Sequence, residues 1–368
     1  MYYFYQTRVL GTQVRTAAQK SAGLNSQLVT TQKQYAALRE QDQYKINQQL
    51  KEEIKNIHDT YKQSVATYEK LLDFKTISKD TSDFDKSFAQ SLNFLSDNNY
   101  ASASSLLTSL NTDMQKEHDK IASSFVIPQN VAKSNSPPGS GYSRQTVTTD
   151  RGDFLVDIIS ADLNSTKVIV DTASDGDCSN NCPVLSLADY ISRNGAFAGI
   201  NGSFFCPPEY PSCAGKTNSF DTLLMNKKKT YFNSANNVYS TVPAVIFSGN
   251  SARFVGRSLE WGRDTGVDSV IAMQPMLISN NNIIYTDSSD TKFTNKGTRC
   301  FVGATGNTVY IGTIYNANMS DSAHILKSLN IANAINLDEG GSTALWANGG
   351  YKAGPGRNIP NAVLFVHK

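Results

Sequence analysis

Between residues 12 and 73 the chain contains no proline and a single glycine, Gly23. Proline ends or kinks a helix and glycine weakens one, so a stretch this free of both specifies a long helix. The apolar residues Leu24, Leu28, Tyr35, Leu38, Ile46, Leu50, Ile54, Ile57, Tyr61, Val65, Tyr68 and Leu72 recur at steps of three and four or their sums. That spacing is the stripe of an amphipathic helix. Asp42 falls inside the stripe and the steps hold no strict heptad, so irregular packing is expected. A lone helix of this length is poorly supported in water. The stripe therefore predicts folding back onto later helices, or self-association through the N-terminal helices.

Two shorter helices are predicted next. Phe84, Phe88, Leu92 and Leu95 make the face of one, with Ser82 and Asp83 as its caps. Tyr100, Ala103, Leu106, Leu107, Leu110, Met114, Ile121 and Phe125 make the face of the other, after the turn Asp97-Asn98-Asn99. Residues 1–127 thus read as an all-α coiled coil or helical bundle, a stalk with a spacing role. Ser134-Asn135-Ser136-Pro137-Pro138-Gly139-Ser140-Gly141 marks 128–145 as a linker. From Thr146 onward the chain changes character. Short apolar runs such as 154–159 and 167–171 bracket a turn at Asn164-Ser165, and helices are predicted only at 185–193 and 320–329. Sparse helices among many short strands predict an α+β domain with a mixed sheet over 146–368 rather than a doubly wound one. The chain as a whole is expected to be multidomain.

All five cysteines follow residue 177. Cys178 and Cys182 flank Ser179-Asn180-Asn181, and Cys206 and Cys213 flank a Pro-rich loop. Such loops carry little apolar material, so a covalent clip orders them. Two local disulfides, Cys178–Cys182 and Cys206–Cys213, are expected, with Cys300 a buried thiol. A zinc site of four thiolates is the competing reading, but the spacings lack the short paired knuckles of zinc ribbons. Disulfides point to an extracytoplasmic setting, at the cell surface or secreted. A net charge of +2 and the lack of basic runs interleaved with aromatics argue against nucleic acid. No stretch approaches the ~18–20 apolar residues of a membrane span. The aromatic opening Met1-Tyr2-Tyr3-Phe4-Tyr5, followed by Arg8, is like the interfacial edge of a membrane helix. Membrane attachment is therefore expected only through an anchor upstream of this chain.

Four later segments carry chemistry. Ala196–Phe205 is an apolar strand that delivers Asn201 and Gly202 into a turn. Gly297–Gly303 places Arg299 in an apolar strand, where an unpaired guanidinium is costly. Asn336-Leu337-Asp338-Glu339-Gly340-Gly341-Ser342-Thr343 leaves a buried strand with two carboxylates, two glycines and two hydroxyls. Successive amides in a Gly-rich turn can hold an oxyanion, and a neighbouring carboxylate can move a proton or hold developing positive charge. Finally, Gly354-Pro355-Gly356-Arg357-Asn358-Ile359-Pro360-Asn361 precedes a last strand, Val363–Val366.

Taken in order, these segments resemble the phosphodiester glycosidase family, with its Asn-Gly-x-Phe-Phe strand, Arg-Thr-like strand, Asn-Leu-Asp-Gly-Gly-Gly-Ser turn and closing Arg-x-x-x-Asn-Ala. The likeness spans about residues 146–368. It implies a hydrolase, a glycosidase that cleaves a sugar-1-phosphodiester in a cell-surface glycan or polysaccharide, with a carbohydrate or sugar-phosphate substrate and no required cofactor. It nominates Asp338 first and Glu339 second as base or electrostatic stabiliser, with Arg299 and Arg357 for the anion. Gly340 and Gly341 would add amides, Ser342 and Thr343 hydroxyls, and Asn201, Gly202 and Asn361 would orient the sugar or phosphate. Two positions depart from the family. Glu339 stands where the first Gly of the turn is usual and adds a charge that would repel phosphate, and Cys300 follows Arg299 in place of Thr or Ser.

Structural alternatives attach to the same residues. Arg299 and Asp338 could form a buried ion pair, Asn201 could satisfy turn amides, and Phe204, Phe205 and Trp346 are core side chains more often than sugar platforms. Asp171, Asp175 and Asp177 crowd before Cys178 and could bind Ca²⁺, although without the rest of a loop signature they read as solvated turn residues. The alternative function is a non-catalytic glycan-binding or surface-assembly module on the same fold, with phosphate chemistry disabled by Glu339.

Overall fold

The computed structural model describes residues 2–237 and 240–368. Met1 and the side chains of the aromatic run after it, together with the Asp42 side chain, lie outside the described residues. The chain forms two compact units. One runs up to Ser64 and includes Gln90–Ser105; the other comprises Val65–Ala89 and Leu106–Lys368.

The predicted long helix is two helices, α1 (Tyr2–Glu40) and α2 (Asp42–Lys75), which meet at Gln41. The junction falls in the polar run Arg39-Glu40-Gln41-Asp42-Gln43, where no apolar anchor holds a continuous turn. Leu24, Leu28, Leu38, Leu50 and Ile54 of the stripe are exposed. Helix α3 (Ser82–Ser96) starts one cap earlier than predicted. The Asp80 carboxylate, not Ser82 or Asp83, accepts the Ser82 amide at 3.0 Å. Asp83 and Asp85 instead lie in the first turn, where negative charge suits the helix dipole. Helix α4 (Tyr100–Ser123) begins as its turn predicts, with the Asn99 side chain accepting the Ser102 amide at 3.2 Å. Among described residues no helix is long and apolar enough to cross a membrane.

In the second unit the last turns of α2 pack with α3 and α4 through Leu71, Phe74, Phe84, Phe88, Leu110 and Met114. The stretch after α4, linker-like in composition, is tied down. Ser134 N donates to Thr146 O at 3.0 Å, Thr146 N to Ala132 O at 2.9 Å, and the buried Gln145 carboxamide to the Ser134 and Ser136 carbonyls. The first strand, Gly141–Thr149, starts within the expected linker. The division into compact units does not fall at residue 127, because α2 and α4 each contribute turns to the second unit.

Among the described residues three sheets build the α+β domain. The largest has the strand order Gly141–Thr149, Gly152–Asp162, Thr308–Ala317, Gly297–Thr305, Asn333–Leu337, Met276–Ser279 and Asn282–Ile283. The second has Gly350–Ala353, Leu345–Ala347, Ala198–Asn201, Asn361–His367 and Thr166–Thr172; the third joins five short strands between Leu224 and Ala272. Among the described residues every ladder is antiparallel, and the one parallel contact is the isolated bridge between Lys133 and Thr146. Helix α5 (Leu187–Asn194) has a capping box of Ser186 and Asp189 and ends at Gly195. The short α6 (Thr291–Thr294) is capped by Asp290, and α7 (Met319–Ser328) by Asn318. One core takes side chains from all three sheets, among them Ile159, Val302, Ile335, Ile200, Val363 and Phe247. The first two sheets are stitched together where their strands end: Asp338 N donates to Gly202 O at 2.9 Å.

Candidate active site

Asn201 closes one strand and is fully buried. Its Nδ2 donates to Asp338 O at 2.6 Å, and its Oδ1 accepts the Ala344 amide at 3.0 Å and the Cys300 thiol at 3.4 Å. Asn361 opens the neighbouring strand, also buried, and its Oδ1 accepts the Ser203 amide at 3.0 Å. Gly202 fits between them only because it lacks a side chain, since a Cβ there would stand 1.7 Å from Asn361 Oδ1. Both carboxamides were expected to face substrate. They are instead committed to holding the strand exits in register, the structural alternative for Asn201.

Arg299 is 4% exposed. Its Nε donates to Ala317 O at 2.9 Å and its Nη1 to Lys292 O at 2.9 Å; Nη2 donates to the Asn295 carbonyl, and Nη1 also meets the Glu339 carboxylate. The buried ion pair thus exists, but with Glu339 in place of Asp338. The guanidinium anchors the 291–296 loop and neutralises Glu339, so the free anion-binding fork expected of Arg299 is not there. Burial pushes the Glu339 carboxyl up, opposed by the Arg299 charge.

Glu339 takes extended backbone (φ −142°), so the usual glycine at this position is not needed for left-handed geometry. The left-handed residue is the next one, Gly340, at φ 61°. The chain then makes one 3₁₀ turn, Gly340–Ser342, that buries Ser342 and Thr343. The Thr343 hydroxyl lies 3.7 Å from the buried Cys300 sulfur, so it faces the core. Burial holds the Cys300 thiol protonated.

Asp338 stands at the centre. Its carboxylate accepts the Glu339 amide at 2.9 Å. Desolvation pushes its pKa up to about 7; the Ser342 hydroxyl and the Arg357 charge pull it down, and the Glu339 charge pushes it further up. Arg357 donates its backbone N–H to Gly341 O at 2.7 Å and lays its guanidinium over the bare Gly341 Cα, where an added Cβ would be 2.3 Å from Nη2. Its Nη1 is 3.7 Å from the Glu209 carboxylate.

Residues 194–366 match the phosphodiester glycosidase family. No curated protein matches the chain in sequence. Among solved structures, a hypothetical protein from Synechocystis superposes with a TM-score of 0.44 at 12% identity, covering 62% of this chain and 62% of that one. This chain therefore spans less than two thirds of that protein. The zebrafish N-acetylglucosamine-1-phosphodiester alpha-N-acetylglucosaminidase catalytic domain, auto-inhibited by pro-peptide, superposes with a TM-score of 0.47 at 16% identity, covering 64% of this chain and 86% of that one.

Around the phosphodiester glycosidase-like centre the structure adds groups that no motif marks. Lys292 acts on Glu339 from the 291–296 loop. Tyr210, at the tip of the Cys206–Cys213 loop, feels the charges of Arg357 and Asp338, and it donates its hydroxyl to Asp73 of α2. Both disulfides form as expected and Cys300 is a free thiol. The Ca²⁺ candidates do not converge. Asp171 is buried against Arg193, Asn194 and Lys227, Asp175 pairs with Lys228, and Asp177 accepts the Cys178 and Asn233 amides. Among described residues no cluster of acidic, histidine and cysteine side chains could hold a metal. Phe205 packs in the core and Trp346 meets Tyr351 edge-on, the structural alternative for each.

Proposed function

We propose that this domain hydrolyses the bond between a sugar's anomeric carbon and a phosphodiester oxygen, releasing the sugar and a phosphate monoester. The carrying observation is Asp338, a desolvated carboxyl with a pKa near neutrality, set beside Arg357 and the Gly340-Gly341-Ser342 turn. Three tasks must be done: hold the anion, stabilise charge developing at the anomeric carbon, and activate water. Arg357 holds the phosphate in this reading, since its planar fork suits two oxygens, with the Gly340 and Gly341 amides beside it. Lys292 supplies a second positive charge. Ionised Asp338 takes the proton of the attacking water or stabilises the oxocarbenium-like centre. A phosphate leaving group needs little protonation, so one carboxylate suffices. Arg299 and Glu339 position the turn.

Two disulfides in loops with little apolar material support an extracytoplasmic location, because such bonds persist in oxidising compartments. A cell-surface glycan or polysaccharide is then the substrate class, and the α1 and α2 stripe is a surface for self-association. The test is sugar release from a sugar-1-phosphodiester by the full chain. Asp338→Asn should lower kcat by about a hundredfold or more, the usual worth of a positioned base, and parental turnover in that variant would reject the assignment. The second reading, a glycan-binding module without turnover, is favoured by one observation: Glu339 pairs with Arg299 and so takes that guanidinium away from a phosphate. It predicts saturable glycan binding with no product.

A further inference from the structure

The last turns of α2 belong to the same compact unit as the sheets and deliver two carboxylates to the Cys206–Cys213 loop. Asp73 receives the Tyr210 hydroxyl, and Glu69 Oε1 receives the Ser212 amide at 2.9 Å. The loop has little of its own to fix it. Pro207, Pro208 and Pro211 donate no amide; Cys206 pairs with Asn218 and Ser219 at the base, but the backbone bonds beyond it are short-range, such as Tyr210 N to Pro207 O at 3.2 Å and Cys213 N to Tyr210 O at 2.9 Å. Its base is set by the disulfide and by these Cys206 bonds, and its tip by the helix.

That tip borders the reacting groups. Glu209 faces Arg357 at 3.7 Å, and the Lys292 ammonium lies 6.0 Å from the centre of the Tyr210 ring. The charges of Arg357 and Lys292 also act on Asp73, whose carboxyl burial pushes up. Helix α4 braces the 291–296 loop. Gln115 and Asn295 exchange two side-chain hydrogen bonds, at 3.0 and 3.1 Å, and the Asn295 carbonyl is one of the acceptors that hold Arg299. A purely mechanical brace would be better served by apolar contacts, because burying an acid costs energy unless its partner repays it. Here acids reach only the loop tip, while the apolar contacts of α2 are spent on α3 and α4.

We propose that Asp73 is a positioning residue and Tyr210 a specificity-determining one: the α2 carboxylates hold the Cys206–Cys213 loop across Arg357 and Asp338, so that the Tyr210 ring walls the space where the phosphodiester sits. The helical segment before the domain is then part of the site. This rests on the hydrolase reading above.

The test combines amide exchange with kinetics on the full, disulfide-intact chain. In Asp73→Ala and in Tyr210→Phe, exchange at Ser212 should rise about tenfold to a hundredfold, the range for losing one hydrogen bond to a charged group. The double variant should exchange no faster than either single one, because both remove the same bond. Asp73→Asn, whose amide oxygen still accepts the phenol, should restore slow exchange. With a sugar-1-phosphodiester, KM should rise in Asp73→Ala and Tyr210→Phe by a larger factor than kcat falls, with melting temperatures near the parent's. Unchanged exchange in both single variants would overturn the clamp. Faster exchange with parental kcat and KM would overturn the positioning role. A parent protein with no turnover refutes the hydrolase reading instead, and the exchange result still decides whether α2 holds the loop.

Discussion

Replacing Arg299 by alanine should cost stability before it costs chemistry. The side chain is almost fully buried, donates to the carbonyls of Ala317, Lys292 and Asn295, and neutralises Glu339. Breaking one side of a buried ion pair costs about 3–5 kcal/mol, because the other charge is left desolvated and alone. Three carbonyls left without this donor add roughly 1 kcal/mol each where water cannot replace it. Arg299→Ala should therefore lose about 3–8 kcal/mol, depending on how far water replaces the donor, a large share of the ~5–15 kcal/mol that a domain has to lose. Arg299→Met with Glu339→Leu removes both charges and should recover about 2 kcal/mol of that loss. Urea unfolding followed through Trp261 and Trp346 gives the midpoints. The loss should also deepen with rising pH. Without Arg299 the folded-state pKa of Glu339 rises further above its unfolded value, so stability present at low pH is lost as pH climbs toward that folded value. An Arg299→Ala midpoint within about 1 kcal/mol of the parent's, or a double variant no better than the single one, would refute the anchor role.

Two other outcomes follow from the same geometry. Asp338, raised from 3.8 to about 7, should give kcat/KM a limb that climbs with pH and levels above neutrality, and Asp338→Asn should flatten it. The folded state holds this proton more tightly than the unfolded chain. Stability from Asp338 is thus present at acid pH and lost as pH rises toward about 7, so Asp338→Asn should match or exceed the parent's melting temperature at mildly alkaline pH. The two glycines separate folding from binding. Gly202→Ala drives a Cβ within 1.7 Å of Asn361 Oδ1 and 2.9 Å of its carbonyl, and should cost about 3 kcal/mol in unfolding. Gly341→Ala meets only the mobile end of Arg357, at 2.3 Å, and should raise KM while the midpoint stays near the parent's.

Much of this was legible from residues. Apolar runs ending in Asn201 and Asp338 announce strand exits, the apolar run after Asn361 announces the last strand, and the local cysteine pairs announce the clips, because each signal is carried by neighbours in the chain. What side chains do at a distance is not announced. Nothing around Arg299 shows that its donors go to Ala317, Asn295 and Glu339, since those partners depend on how loops close. The buried amides of Asn201 and Asn361 look alike whether they serve a ligand or a strand. The contact of Asp73 with Tyr210 joins residues 137 apart, and neither sits in a motif. The break at Gln41 was faintly visible, in the polar run and in the Asp42 that interrupts the stripe.

The measurement that bears most directly on the account is the fate of solvent oxygen. A sugar-1-phosphodiester is turned over by the full chain in heavy-oxygen water, and the released phosphate monoester is weighed by mass spectrometry. The phosphate is the product to read, because the anomeric oxygen of a free sugar exchanges with water. Attack at the anomeric carbon, with Asp338 serving it and Arg357 holding the anion, predicts a phosphate monoester that carries no label. Label in the phosphate would mean cleavage of the phosphorus–oxygen bond and would contradict a glycosidase.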